Sequence, residues 1–339
     1  MLKIRNQKKT INLGIQILRM IFCFNIVVYH CIDIQYHTNI FIYFICRIAV
    51  EYYVPTFFLI SFYFSYNTFA SKNIFKIKER LLRILIPYVI WPFLFWIKYI
   101  YVNYKYGIEY TNKYKDLFHQ LLIGKPINPV FWFQFCLILW SILFIIIIIS
   151  FKNLYQYIML ILFITILCFN YSGFIYSITN NYTIYIFWTI YDLFYRNIHM
   201  FSGFFFGSIR LLDKKISLKL IYSIFSIIGL IFLIYLDDEK NFGYIRIQFI
   251  INIIFIFSSL IPFDLIKNRN ITSIINQITS YTGGVYYLHW EIKFRTFNDI
   301  YLIKKANFLS CIIIYLICYI FCFLSFRLFK NTKLKFLFI

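Results

Sequence analysis

Residues 19–30 read RMIFCFNIVVYH, a run of mostly apolar side chains closed by Arg19 at one end and His30 at the other. The run lies inside a longer apolar segment, 11–33, which exceeds the ~20 residues a helix needs to cross the hydrocarbon core of a bilayer. On a helix, the eleven-residue spacing returns Arg19 and His30 to within roughly 20° of one face, about 16 Å apart along the axis. An arginine facing lipid in mid-span costs several kcal/mol on most scales, so Arg19 is predicted to face the bundle interior and meet an anion there. His30 carries the side chain that gains and loses a proton near neutral pH, which suits it to act as a base. Read separately, Arg19 also suits an ion pair with Glu51 on the neighbouring helix, and His30 a place in the outer headgroup region. The segment lacks a small-residue cleavage motif and is expected to persist as the first helix.

The rest of the chain repeats this pattern. Its 339 residues are 62% hydrophobic and 14% charged, with a mean hydropathy of +0.74, which excludes an ordinary soluble domain. Apolar stretches at 11–33, 42–66, 82–103, 129–150, 154–170, 190–209, 218–236, 246–262, 274–292 and 306–328 predict about ten membrane-spanning helices. The fold class is therefore all-α, a polytopic transmembrane bundle forming one unit over 1–339. Asp192, Arg196 and His199 interrupt the sixth stretch, so a re-entrant or surface-lying piece is expected before it.

A formal net charge of +21 would suggest nucleic acid as a partner of a soluble protein. Here the basic residues lie in short segments between apolar runs and read as topology signals instead. Twenty lysines and arginines fall on one side of the alternating arrangement, including the segment Lys72, Lys76, Lys78, Arg80 and Arg83 taken as the second loop, and ten on the other. That asymmetry puts both termini in the cytoplasm and the protein in the cell membrane. The 43 Phe and 31 Tyr, alongside many Ile, Asn and Lys, reflect the bias of an AT-rich genome and point to no ligand. Eight cysteines show no C-x-x-C and no zinc-like spacing; Cys318 and Cys322, four apart, read as packing residues, and no metal site is expected. His37 and His119 read as solvated outer-loop residues.

Arg80 and Arg83, three apart in KERLLRILIPYVIW (78–91), can present both guanidinium groups to one phosphate cluster at the cytoplasmic surface. Taken alone, they read first as an ordinary positive flank. With R-x10-H in the first helix, VPTFFLIS (54–61) in the second, FWFQFCLILW (131–140) in the fourth and SYTGGVYYLHW (280–290) near the end, the chain resembles the acyltransferase 3 family of membrane-bound acyltransferases. The order and spacing hold through almost the whole chain.

The resemblance implies a ten-helix bundle that takes an acyl group, usually acetyl, from cytoplasmic acyl-CoA and places it on a hydroxyl of a surface glycan or its lipid-linked precursor. It implies His30 as the essential histidine, Arg19 as its partner, Arg80 and Arg83 as the motif that meets CoA, and His289 as a recurring histidine in a supporting role. Acyl-CoA is then a co-substrate, and no cofactor is tightly bound. One position departs from the family pattern, which has Gly after the serine of FFLIS where this chain has Phe62 after Ser61.

In the implied mechanism the phosphates and nucleotide rest on Arg80 and Arg83, with Arg19 beyond them, and the pantetheine arm threads toward His30. His30 either deprotonates the acceptor hydroxyl or carries the acyl group itself. A dry site would hold the imidazole neutral, whereas a carboxylate such as Glu51 or Asp33 would favour its charged form. Ser61 or Tyr29 could steady the oxyanion. Two other functions compete. A glycosyltransferase or glycan polymerase would use Asp237, Asp238 and Glu239 on the outer side. A glycan-lipid transporter would line a path with Arg19, Glu51, Asp192, Arg196 and His199.

Overall fold

The computed structural model describes residues 12–31, 40–106, 121, 131–151, 155–162, 198–235, 239–261, 269–292 and 308–339. Their regular structure is helical, with no strand among the described residues. In order come α1 (Leu13–Cys31), α2 (Ile40–Ala70), α3 (Ile74–Tyr106), α4 (Trp132–Phe151), α5 (Ile198–Ser208), α6 (Ile216–Tyr235), α7 (Glu239–Leu260), α8 (Arg269–Ser280), α9 (Thr282–Glu291) and α10 (Phe308–Phe329). Short 3-10 turns occupy Leu211–Asp213 and Lys333–Leu337. Among the described residues, the segments Leu13–His30, Ile74–Lys98, Trp132–Phe151 and Cys311–Phe329 are long and apolar enough to cross a membrane. Asp192, Arg196, Asp237, Asp238, His37 and His119 lie outside the described residues.

Local chemistry sets the helix starts. Asn12 caps α1 by accepting from Ile15 N at 3.1 Å, and its Nδ2 donates to Ser259 O at 3.2 Å, tying the cap to α7. Asn73 caps α3 in the same way, accepting from Lys76 N at 3.1 Å. Each such cap satisfies a first-turn N–H that has no helical partner.

The structure corrects two of the expected boundaries. The basic segment 67–81 is not a loop: α2 and α3 are separated by a tight turn through Lys72, whose φ is 51°, so Lys76, Lys78, Arg80 and Arg83 all ride on α3. A helix need not stop at the membrane surface, and an amphipathic first stretch lets α3 continue past it. The stretch 274–292 is likewise two helices, broken at Tyr281 (φ −95°, ψ 1°). Of these, α8 buries Thr272 and Thr279 and turns Ile271 and Ile274 outward. Twelve residues rise only about 18 Å, too short to cross a bilayer.

Helix α1 is the axis of the bundle, packing against α2, α7, α8, α9 and α10. Its Ile15, Leu18, Phe22, Cys23, Ile26 and Val27 are buried. Peripheral helices show the opposite pattern, with Phe225, Ile228, Ile231 and Phe232 of α6 and Leu316, Ile320 and Leu324 of α10 exposed. An apolar outer surface of this kind is what lipid contact requires. A second packing centre lies between α2, α4 and α5, where Phe144 stacks on Phe204 at 4.2 Å and Phe62 meets Phe144 at 5.0 Å.

Helices α2 and α5 approach closely enough for their backbones to touch. A Cβ added at Gly203 would stand 2.2 Å from Leu59 O, and one at Gly207 would stand 2.8 Å from Tyr63 O. Gly203 and Gly207 form a G-x-x-x-G stripe, which allows two backbones to meet where apolar burial gives no net drive between helices in lipid. This contact matters for the site because α2 also carries Ser61.

Candidate functional site

Arg19 and His30 both turn toward α9, the shared face that their spacing predicts. Arg19 Nη2 donates to Thr282 Oγ1 at 3.1 Å, at the start of α9, and Nη1 donates to Gln16 Oε1 at 3.4 Å. One turn above, Cys23 Sγ donates to Thr282 O at 3.5 Å. At the other end the His30 ring lies 5.1 Å from the His289 ring, with Tyr29 at 4.8 Å on its other flank. Helices α1 and α9 therefore run side by side in the same direction, with a charged pair of contacts below and paired imidazoles above. His289 is fully buried, and its Nδ1 faces Val285 O at 3.3 Å. A carbonyl oxygen only accepts, so that geometry assigns the proton of a neutral His289 to Nδ1.

Arg80 projects inward. Its Nη2 donates to Ser61 Oγ at 2.5 Å and lies 3.4 Å from Ser61 O, while its Nε is buried without a hydrogen-bond partner. The Arg80 charge is in electrostatic range of Arg83, Arg19 and the Tyr287 hydroxyl, so α1, α3 and α9 bring their polar groups to one region. Arg19 and Arg80 are both only partly accessible. Among the described residues, no carboxylate bonds either guanidinium. Two like charges enclosed in this way leave an unmet demand for an anion.

Arg83 does not join Arg80. It is 48% exposed and paired with Glu79 at 2.7 Å across one helical turn. Its guanidinium also covers the Phe336 ring at 5.5 Å, and Lys335 and Lys333 approach the same ring at 5.5 and 6.0 Å. Phe336 is itself buried, and Trp91 Nε1 donates to Leu337 O at 3.2 Å, so residues 333–339 fold back onto α3. The outcome is a rim of three cations with one carboxylate just outside Arg80. Lys333 and Lys335, read in the sequence only as topology signals, belong to this rim.

The remaining expected residues fall as follows. Ser61 bonds Arg80, which makes it a positioning partner of that side chain. Phe62 points away into Phe144 of α4, so the missing glycine leaves the Arg80 side of α2 undisturbed. Glu51 lies on α2, with its side chain outside the described residues. Cys318 and Cys322 are buried and not disulfide-bonded. Thr282 lies in SYTGGVYYLHW (280–290), yet only the packing of α9 on α1 shows that it meets Arg19.

A family model described as an acyltransferase domain matches residues 12–327. The chain belongs to the acyltransferase 3 family. The match takes in Arg19, His30, Arg80, Arg83 and His289, together with the helices that bring them together. The acyltransferase 3 assignment and the apolar helices make the protein a multi-pass membrane acyltransferase in general terms. No curated protein and no solved structure matches the chain.

Proposed function

We propose that the protein transfers an acyl group, in the first instance acetyl, from cytoplasmic acyl-CoA to a hydroxyl of a cell-surface glycan or its lipid-linked precursor. One observation carries this reading: Arg19 and His30 meet α9 at its two ends, with Arg80 beside Arg19. The cationic rim of Arg83, Lys333 and Lys335 would attract the nucleotide phosphates, and Arg80 and Arg19 would hold those that enter. The pantetheine arm would then rise along the α1–α9 seam over the roughly 16 Å that separates Arg19 from His30. The start of α1 and residues 333–339 lie at one end of the bundle, which supports placing both on the cytoplasmic side with the rim.

At the upper end two balanced routes are open to His30. As a base, it takes the acceptor hydroxyl proton while the oxygen attacks the thioester carbonyl, and it returns that proton to the departing CoA thiolate. As a carrier, its nitrogen attacks the thioester, CoA leaves as the thiol, and the hydroxyl then attacks the acyl-imidazole. Incubation with acetyl-labelled acetyl-CoA and no acceptor separates them, since only the second route labels the protein.

The overall reading is tested with protein purified in detergent, labelled acetyl-CoA and a lipid-linked saccharide extract. Acceptor-dependent release of CoA, with label in the saccharide, is expected. Failure to release CoA from any acyl-CoA would remove the proposal.

The two motif arginines should differ. R80A is expected to weaken acyl-CoA binding by roughly ten- to a hundredfold, the worth of a charge-assisted hydrogen bond in a buried setting. R83A, half exposed and held by Glu79, should cost no more than about fivefold. Titration calorimetry decides between this and equal effects, which would move the nucleotide to the outer rim. The K333A/K335A double variant should slow association chiefly at low salt, with the difference shrinking as salt screens the rim.

A further inference from the structure

Gln134 stands in the first turn of α4 and is fully buried, and neither its Nε2 nor its Oε1 has a hydrogen-bond partner. Its neighbours are the residues of the site. Phe131 stacks on Tyr287 at 5.6 Å, and Phe133 meets Tyr286 at 5.6 Å, so this end of α4 lies directly on α9. The amide stands beside the Tyr287 hydroxyl without taking up hydrogen-bond geometry, and that hydroxyl is in turn within electrostatic range of Arg80. A buried amide with donor and acceptor both unmet is costly to a folded protein, and native structures hold few of them. Near it, Arg80 Nε is a second buried donor without a partner.

We infer that Gln134 is a binding residue for the amide-bearing pantetheine arm of acyl-CoA, between the phosphates at Arg80 and the thioester at His30. This rests on the acyl-CoA reading above. A primary amide offers two N–H donors and one carbonyl acceptor. A phosphate offers only acceptors at neutral pH and would leave Oε1 unmet in a dry site. The pantetheine arm has two amides, each with a carbonyl and an N–H, and can satisfy both ends of Gln134. Its position by Tyr287, on the helix that also meets Arg19 and His30, places it along the path of the donor.

The test compares binding of three probes to wild type, Q134L and R80A: CoA, adenosine 3′,5′-bisphosphate, which has the nucleotide phosphates and no arm, and pantetheine, which has the arm alone. Q134L is expected to weaken CoA and pantetheine by roughly tenfold, about one buried hydrogen bond, and to leave the bisphosphate unchanged. R80A should weaken CoA and the bisphosphate. Because its amide makes no well-formed hydrogen bond within the protein and interacts there only with the Tyr287 hydroxyl, Gln134 should be replaceable with little loss of thermal stability; Q134M, close in volume, carries the same measurement if Q134L does not fold. Unchanged pantetheine binding in the variant, or a change confined to the KM for the saccharide acceptor, overturns the inference. Absence of CoA binding by wild type would instead overturn the function on which it rests.

Discussion

Replacing His30 with alanine is expected to lower acyl transfer by at least about a hundredfold, the smaller end of what a positioned proton-transfer group contributes, and to leave the bundle assembled. The second half of that expectation follows from where α1 is held. Its grip on α2, α7, α9 and α10 comes from Ile15, Leu18, Phe22, Cys23, Ile26 and Val27. His30 sits in the last turn, partly accessible, with ring contacts to Tyr29 and His289. H30A should therefore elute as the same species from a sizing column and bind acyl-CoA as wild type does, while label no longer reaches the saccharide. H289A should fall between the two, because His289 lies beside His30 without occupying its place at the end of the α1 stripe. Full activity in H30A would end the catalytic assignment. Loss of acyl-CoA binding in H30A would show the residue holding the donor rather than acting on it.

Gly203→Val should abolish the folded protein rather than its chemistry. The first added carbon would stand 2.2 Å from Leu59 O, a backbone atom that cannot swing aside, so α2 and α5 must separate. Overpacking a well-filled core costs about 1–3 kcal/mol when side chains can adjust, and here the obstacle is a main chain. Separation would also pull Phe201 and Phe204 from Trp140 and Phe144, which they meet at 4.7 and 4.2 Å. Aggregation in size-exclusion chromatography of the detergent extract is the expected readout. Gly229 supplies the contrast. A Cβ there meets only the ring of Phe249, a side chain able to rotate, so G229A should give a monodisperse peak and at most a small fall in Tm. If G203V behaved like G229A, close backbone contact would not be what joins α2 to α5.

Much of this protein was legible in its hydropathy. The helical class, the course of α1 and the common face of Arg19 and His30 follow from helix periodicity and from the cost of a charge in hydrocarbon, both local properties. The family resemblance rested on short motifs, and the family match covers the same helices. The boundaries were less legible. Basic residues mark the membrane surface without saying whether the helix stops there, so the start of α3 was taken for a loop. The break at Tyr281 falls in a polar, small-residue stretch, NQITSYTGG (276–284), which reading 274–292 as one span passed over.

The partners of the site residues were hidden for a different reason. In a membrane bundle, lipid-facing and core-facing positions are both apolar, so the sequence does not reveal which face of a helix meets which neighbour. Arg80 and Arg83 share a motif, yet one enters the bundle to reach Ser61 and the other stays outside with Glu79. Gln134 in FWFQFCLILW is a single polar letter until α4 is laid on α9 beside Tyr287.

From the sequence alone came a membrane-embedded helical chain with a cation and an imidazole on one stripe of its first helix, because helix pitch and the hydrocarbon's intolerance of charge act within a single segment. Tertiary structure alone decided what that stripe faces: α9, the inward Arg80, the rim built by residues 333–339 and the buried amide of Gln134. Those depend on how rigid helices rotate and close against one another, and that is settled by shape, as at Gly203, where the absence of one carbon lets two backbones touch.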